Sequence, residues 1–113
     1  MDIKKRMNSG ELYTDGGYGL PEERLMAKVR AYEYNHSHPF GQELRKDIIQ
    51  RMFASVGKQC WIEPPINLAY GTHTTIGDNF YANFNLTLVD DAEINIGNNV
   101  IFAPNVTIST AGH

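Results

Sequence analysis

Residues 74–108 read TTIGDNFYANFNLTLVDDAEINIGNNVIFAPNVTI, and apolar side chains recur in this stretch at intervals of six residues. The main series, with one shift of two residues in its middle, is Ile76, Ala82, Leu88, Ile96, Phe102 and Ile108. A companion series two places earlier is Thr74, Phe80, Leu86, Ile94, Val100 and Val106. Ordinary strand alternation gives apolar pairs two residues apart without a break every six residues. A chance period in a strand-rich sequence is the alternative, and the uniformly apolar series disfavours it.

The breaks between these pairs are rich in glycine, asparagine and aspartate. They include Gly77-Asp78-Asn79, Asn83, Asn85, Gly97-Asn98-Asn99 and Asn105. These residue types tolerate positive φ, so they suit tight corners after short strands. Six-residue repeats with such corners are typical of a parallel β-helix, in which three hexads make one triangular coil of eighteen residues. Each coil buries its inward side chains by stacking on the next. The sequence therefore predicts a mainly β fold built as a parallel β-helix.

One irregularity interrupts the repeat. Ile76 and Ile96 are twenty residues apart, two more than one coil of three hexads. The extra pair most naturally falls in the corner around residues 89–92, and corners are where a β-helix tolerates insertions that carry function. Asp90 and Asp91 lie in this corner. On the pattern alone, a solvated turn is the favoured interpretation of both acids.

The first half of the chain has a helical pattern instead. Pro21, followed by two acids, is typical of a helix start, and the spacing of Leu25, Val29 and Tyr32 predicts a helix over residues 21–34. The residue before Pro39 avoids the α region, so the helix ends there.

A second helix is predicted from about Gln42, and Gly57 is a candidate for its left-handed C-cap. Its apolar stripe consists of Leu44, Ile48, Ile49, Met52 and Phe53. Two short helices enclose little core by themselves, so they must pack on the β-helix. We therefore divide the chain into a helical segment, residues 1–58, and a β-helix, residues 59–113.

Composition excludes several classes of protein. The net charge of −3 and the absence of a basic stripe argue against a nucleic-acid binder. No apolar run approaches the ~20 residues that span a bilayer, and the first residues lack the apolar stretch of a signal peptide. With one cysteine, Cys60, no intramolecular disulfide forms. We expect a cytoplasmic protein that does not bind a membrane.

Four histidines are the candidate catalytic or metal-binding side chains. His36 and His38 form an H-x-H pair without an evident third ligand, so a turn or capping role is favoured over a metal site. His73 precedes the first clear hexad and is expected to be exposed. His113 follows several small residues that leave room for a substrate, and a neutral imidazole can accept a proton from a hydroxyl. By composition alone, a terminal histidine without a role is the favoured interpretation of His113.

Four motifs are similar to a known family. They are YNHSHP at 34–39, EPP at 63–65, NFYANFN at 79–85 and FAPNVT at 102–107. Together they closely resemble the maltose and galactoside O-acetyltransferases, a branch of the hexapeptide acyltransferases. The resemblance extends from the LYTD segment at 12–15 to the final Gly112-His113.

The resemblance implies a homotrimer of left-handed β-helices that transfers acetyl from acetyl-CoA to a sugar hydroxyl, often the 6-position. The helical segment would cap the β-helix, and the active sites would lie between neighbouring subunits. No metal would take part.

The resemblance also implies a role for individual residues. The histidine matching His113 would be the general base. Asn83 and Asp91 would hydrogen-bond the acceptor near the reacting hydroxyl, which reverses the preference for a solvated turn at Asp91. The remaining sugar contacts would be Asp15, Arg24 and Tyr81.

The family continues beyond this histidine with further coils, which carry the CoA-binding residues. Residues 60–113 amount to about three coils, so an open last coil would expose Phe102, Val106 and Ile108. We therefore expect the chain to be a fragment that is inactive by itself. A non-catalytic trimeric scaffold is the alternative. A metal hydratase would need three histidines in the β-helix, where only His73 and His113 are present.

Overall fold

The computed structural model describes residues 20–111, so the predictions made for Asp15 and His113 lie outside the described residues. Within residues 20–111, two helices come first: α1 is Leu20–Asn35 and α2 is Gln42–Met52. Both predicted helices are therefore confirmed. Within the described part of the chain, neither helix is long and apolar enough to cross a membrane.

In the described part of the chain, nine short strands follow the helices. They are β1 (Ser55–Val56), β2 (Trp61–Ile62), β3 (Ile66–Leu68), β4 (Thr74–Ile76), β5 (Tyr81–Ala82), β6 (Leu86–Val89), β7 (Ile94–Ile96), β8 (Ile101–Phe102) and β9 (Thr107–Ser109). They form three parallel sheets of three strands, in the orders β1-β4-β7, β2-β5-β8 and β3-β6-β9. The chain visits the three sheets in turn and then repeats, which confirms the predicted parallel β-helix. Strand β1 begins at Ser55, ahead of residue 59, where we placed the domain boundary.

The step from one coil to the next is twenty residues throughout the described part. Ser55 pairs with Thr75, and Thr75 pairs with Asn95. The prediction of an eighteen-residue coil with one insertion is therefore incomplete, because an equivalent insertion also lies between β3 and β4. We name residues 69–73 the first insertion corner and residues 90–93 the second insertion corner.

The predicted inward series forms the core. Ile76, Ala82 and Leu88 are each at most 2% exposed, and so is the companion residue Phe80. In the third coil the inward side chains Val100, Phe102, Val106 and Ile108 are partly buried against this core. Packing of apolar side chains between successive coils is the main stabilising contribution to such a fold.

Asparagines occupy the corners for the predicted reason at four positions. Asn79, Asn85, Asn99 and Asn105 have φ between 58° and 64°. Their amides also pair between coils: Asn79 donates to Asn99 over 3.0 Å, and Asn85 donates to Asn105 over 3.1 Å. The corner asparagines therefore both accept the left-handed conformation and connect adjacent coils.

Gly77 is present for a different reason, because its φ is not positive. A Cβ atom at this position would lie 2.4 Å from Oδ1 of Asn98 and 2.8 Å from the carbonyl carbon of Gly97. The next coil passes so close that it leaves no room for a side chain.

The helices pack on the β-helix, but through a different face of α1 from the one expected. Leu25 and Tyr32 are 61% and 64% exposed, and the buried face consists of Ala27, Ala31 and Tyr34. Small alanines allow α1 to approach its neighbours closely, and α1 contacts both α2 and β3.

Two side chains near the end of α1 fasten it to the β-helix. The Asn35 amide donates to the carbonyl of Ile66 over 2.9 Å and accepts from the Ile66 N–H over 2.8 Å. The Tyr34 hydroxyl donates to the carbonyl of Ile62. The helix therefore ends at a defined position on β2 and β3.

The apolar stripe of α2 is partly as predicted, since Ile48, Ile49, Met52 and Phe53 are buried. Leu44 is exposed instead. The prediction that Gly57 caps this helix is wrong. The helix ends at Met52 with an extended C-cap at Phe53, whereas Gly57 follows β1 and donates its N–H to Ile76. A Cβ at Gly57 would meet the Asp78 carboxylate, so close approach again requires glycine here.

Candidate functional site

The two acids of the second insertion corner have opposite environments. The Asp90 side chain is completely buried, whereas Asp91 is half-buried. One oxygen of the Asp90 carboxylate accepts the N–H groups of Tyr70 and Gly71, over 2.8 and 3.1 Å. The other oxygen accepts the N–H of His73 over 3.3 Å and the hydroxyl of Thr74 over 2.8 Å. For Asp90, a solvated turn is therefore the wrong interpretation.

These four bonds satisfy a buried carboxylate and hold the first insertion corner in place. The corresponding position one coil later is Thr110, whose hydroxyl oxygen accepts the N–H of Ala92 over 2.9 Å. Each insertion corner therefore accepts hydrogen bonds from, or donates them to, a side chain of the next coil along the chain. The irregular backbone of these corners receives partners that the sheets do not supply.

His73 is also more enclosed than expected, because its side chain is 9% exposed. Its Nδ1 lies 2.7 Å from the carbonyl oxygen of Asp90 and 3.2 Å from that of Asp91. Since both partners are acceptors, Nδ1 carries the proton. Its Nε2 lies 3.8 Å from the carboxylate of Glu23 on α1. The prediction that His73 is exposed is wrong.

Arg24 reaches the same region from α1. Its guanidinium donates to the hydroxyl of Tyr70 over 3.1 Å, and the ring of Tyr70 stacks on that of His73 at 4.4 Å. Tyr70 is buried and Arg24 is half-buried. Arg24 and Asp91 are thus both connected to the first insertion corner, through Tyr70 and His73 respectively.

Tyr81 and Asn83 lie at a different corner of the triangular coil. Tyr81 is in β5 of the second sheet, and Asn83 follows directly, with its side-chain oxygen accepting the N–H of Phe84 over 2.8 Å. Strand β6, four residues and about 13 Å long at ~3.3 Å per residue, separates this corner from Asp91. The four described site residues therefore form two groups, Arg24 with Asp91 and Tyr81 with Asn83.

The H-x-H pair has the turn and capping role favoured from the sequence. Nδ1 of His36 lies 2.8 Å from the carbonyl of Tyr32 at the end of α1, and the Phe40 N–H donates to Nδ1 of His38 over 3.1 Å. Among residues 20–111, no group of three or more His, Cys, Asp or Glu side chains is arranged to hold a metal ion.

A groove of about 880 Å³ lies between α2 and the first coil, away from both site groups. Cys60 lines it together with Trp61 and Ile49. Burial raises the pKa of the Cys60 thiol to about 11. Burial likewise raises the pKa of the neighbouring Tyr34 hydroxyl to about 12. Both groups are therefore neutral near pH 7 and poor nucleophiles.

Sequence reasoning missed Tyr70 and His73 because the six-residue series was followed only from Ile76 onward. The signal was present in the twenty-residue spacing, which also relates Val56 to Ile76. Extending the repeat backwards would have aligned residue 70 with Asp90.

Comparison with known proteins shows that the chain is similar to sugar acetyltransferases. Residues 6–57 match the maltose acetyltransferase hexapeptide capping motif. All 113 residues align at 53% identity with the galactoside O-acetyltransferase of Escherichia coli (strain K12), covering 56% of that protein. The chain therefore spans a little over half the length of this relative.

Two solved structures agree closely in fold. A galactoside acetyltransferase in complex with coenzyme A superposes with a TM-score of 0.94 at 53% identity, covering 100% of this chain and 56% of that one. A maltose O-acetyltransferase from Clostridium difficile 630 superposes with a TM-score of 0.95 at 39% identity, covering 100% and 60%. With the three parallel sheets, these likenesses confirm the predicted left-handed parallel β-helix preceded by a helical segment.

Proposed function

We propose that the chain belongs to the maltose and galactoside O-acetyltransferase family, which it resembles in sequence and fold, and that the full-length protein transfers acetyl from acetyl-CoA to a sugar hydroxyl. The observation that carries this proposal is the alignment of every residue of the chain with the galactoside enzyme at 53% identity. Acetyl-CoA is the donor substrate, in keeping with the coenzyme A bound to one structural relative. The acceptor is a sugar of the maltose, galactoside or glucose type.

The proposed site consists of one base and five acceptor contacts. His113 is the general base, and Asn83 and Asp91 hydrogen-bond the acceptor near its reacting hydroxyl. Asp15, Arg24 and Tyr81 complete the sugar contacts. A carboxylate, an amide, a guanidinium and a phenol together offer the donors and acceptors that a polyhydroxylated ring needs.

The reaction is a direct transfer. His113 removes the proton of the sugar hydroxyl while the hydroxyl oxygen attacks the thioester carbonyl carbon. This general-base catalysis increases the rate roughly 10²–10⁴-fold. The tetrahedral intermediate then breaks its C–S bond, and the proton passes to the departing thiolate of CoA. A thioester is already activated, so the reaction needs no covalent enzyme intermediate.

Assembly as a homotrimer in the cytoplasm is part of the proposal. In one chain, strand β6 lies between the Arg24–Asp91 group and the Tyr81–Asn83 group. A sugar ring is smaller than that separation, so it would contact both groups only if they came from two chains. This spacing supports a site shared between the subunits of a symmetric assembly.

The test is an acetyl-transfer assay on the full-length protein with maltose, a galactoside and glucose. We expect CoA release that depends on the sugar, and a loss of at least a hundredfold in kcat for His113→Ala with acetyl-CoA binding nearly unchanged. His38→Ala is the matched control, since the contacts of this histidine with Phe40 lie in a local turn. Activity of His113→Ala within tenfold of wild type would exclude the general base. No transfer to any of the sugars would favour the non-catalytic scaffold.

A further inference from the structure

We propose that Tyr70 and His73 are positioning residues for the sugar acceptor: the first insertion corner, clamped by Asp90, holds both Arg24 and Asp91. This inference rests on the proposed function. Neither residue is one of the six proposed site residues, and both act through their neighbours.

The clamp by Asp90 makes the first insertion corner rigid. One oxygen of its carboxylate accepts the N–H groups of Tyr70 and Gly71, and the other accepts the N–H of His73 and the hydroxyl of Thr74. All these bonds reach a side chain that is 0% exposed, so water does not compete for them. The corner is thus an anchor to which other groups can be attached.

Tyr70 attaches Arg24 to this anchor. A long arginine side chain has considerable rotamer entropy, and a hydrogen bond to a buried hydroxyl restricts it before any ligand binds. The Tyr70 hydroxyl accepts from Arg24 over 3.1 Å, and its ring is itself held by stacking on His73. The guanidinium is therefore directed by the β-helix as well as by α1, from which it extends.

His73 attaches the backbone of Asp91. Its Nδ1–H is shared between the carbonyl oxygens of Asp90 and Asp91, so it fixes the direction of the peptide groups from which the Asp91 side chain projects. Asp90 binds the first corner, and His73 of that corner binds back to the second. Together, these two sets of hydrogen bonds determine the position of Asp91 relative to Arg24. Misplacement of an acceptor contact by about 1 Å can cost on the order of a hundredfold in rate.

The test compares conservative variants of the full-length protein by steady-state kinetics in both substrates. Tyr70→Phe keeps the stacked ring and removes only the hydroxyl, so we expect the KM for the sugar to rise about fivefold, with kcat and the KM for acetyl-CoA within twofold of wild type. Tyr32→Phe is the matched control on α1. That tyrosine is exposed and stacks only on His36 among the described rings, so its kinetics should be unchanged.

His73 is tested with a pair of variants. His73→Leu removes the donor and should lower kcat/KM for the sugar about tenfold, whereas His73→Asn keeps a donor at the place of Nδ1 and should stay within threefold of wild type. A uniform loss in all kinetic constants, or equal effects of Leu and Asn, would overturn the positioning role. So would a sugar KM for Tyr70→Phe equal to that of wild type.

A second measurement does not depend on catalysis. Amide hydrogen exchange of residues 90–92 should be at least tenfold faster in His73→Leu than in wild type and nearly normal in His73→Asn. Unchanged exchange in His73→Leu would refute the attachment of Asp91. If the wild-type protein acetylates no sugar while exchange behaves as expected, the proposed function fails and the attachment of Asp91 stands.

Discussion

Replacing Asp90 by alanine removes the buried carboxylate that holds the first insertion corner, and we expect a large loss of stability. Four donors, three N–H groups and one hydroxyl, would lose their acceptor in a region without solvent. Each unsatisfied buried group costs about 1–3 kcal/mol, but these four share one site and do not add independently. We expect Asp90→Ala to lower the free energy of unfolding by about 3–5 kcal/mol.

Asp90→Asn removes the negative charge of this side chain and keeps its shape. The amide retains one oxygen for two of the donors and places its NH₂ group near the other two, so about 1–3 kcal/mol should be lost. Asp91→Ala is the matched control in the adjacent position. Asp91 is half-buried, and its removal should cost less than about 1 kcal/mol while impairing use of the sugar acceptor.

The assay is urea unfolding of the full-length protein, followed by circular dichroism at one fixed protein concentration, because assembly changes apparent stability. A loss below 1 kcal/mol for Asp90→Ala would refute the clamp. If Asp90→Ala and Asp91→Ala lowered the free energy of unfolding equally, the difference in burial between the two acids would have no effect on stability. An unaltered sugar KM and kcat for Asp91→Ala would remove Asp91 from the proposed site.

Two further predictions concern the coil and the groove. Gly77→Ala should lower the free energy of unfolding by about 1–3 kcal/mol, because the new Cβ would lie 2.8 Å from the Gly97 backbone; a variant that melts with wild type would contradict this close approach. Cys60, with its pKa raised to about 11, should react with iodoacetamide at pH 8 about a hundredfold more slowly than a thiol with a pKa near 9, and faster as pH rises towards 11. Alkylation at the rate of a free peptide thiol would show that Cys60 is not buried in solution.

The core of the β-helix could be predicted because its signal is local and periodic. Ile76, Ala82 and Leu88 are buried where the six-residue series places them, and Asn79 has the positive φ expected of a corner. Gly77 was assigned to a corner correctly, but for the wrong reason. The sequence shows that a glycine is present, whereas the need for it comes from the neighbouring coil.

The helices show the limit of periodicity. Leu25, Val29 and Tyr32 indicated the helix correctly, yet the helix buries its alanines instead. The spacing of apolar residues predicts that a segment is helical. It does not predict which face of the helix is buried, because that depends on how closely the partner surface approaches, and small side chains allow the closer contact.

The sequence by itself determined the class of fold, the inward positions and the resemblance to a family, because repeats and motifs are properties of the chain order. Only the tertiary structure showed that Asp90 is buried and binds the first insertion corner, because the residue pattern treats the two adjacent acids alike. It also brought Tyr70, His73 and Arg24 together, since their meeting depends on a twenty-residue coil stacking and on a helix folding back across it. The physical reason is that the burial and hydrogen-bond partners of a corner residue are supplied by the coils next to it, which are distant along the chain.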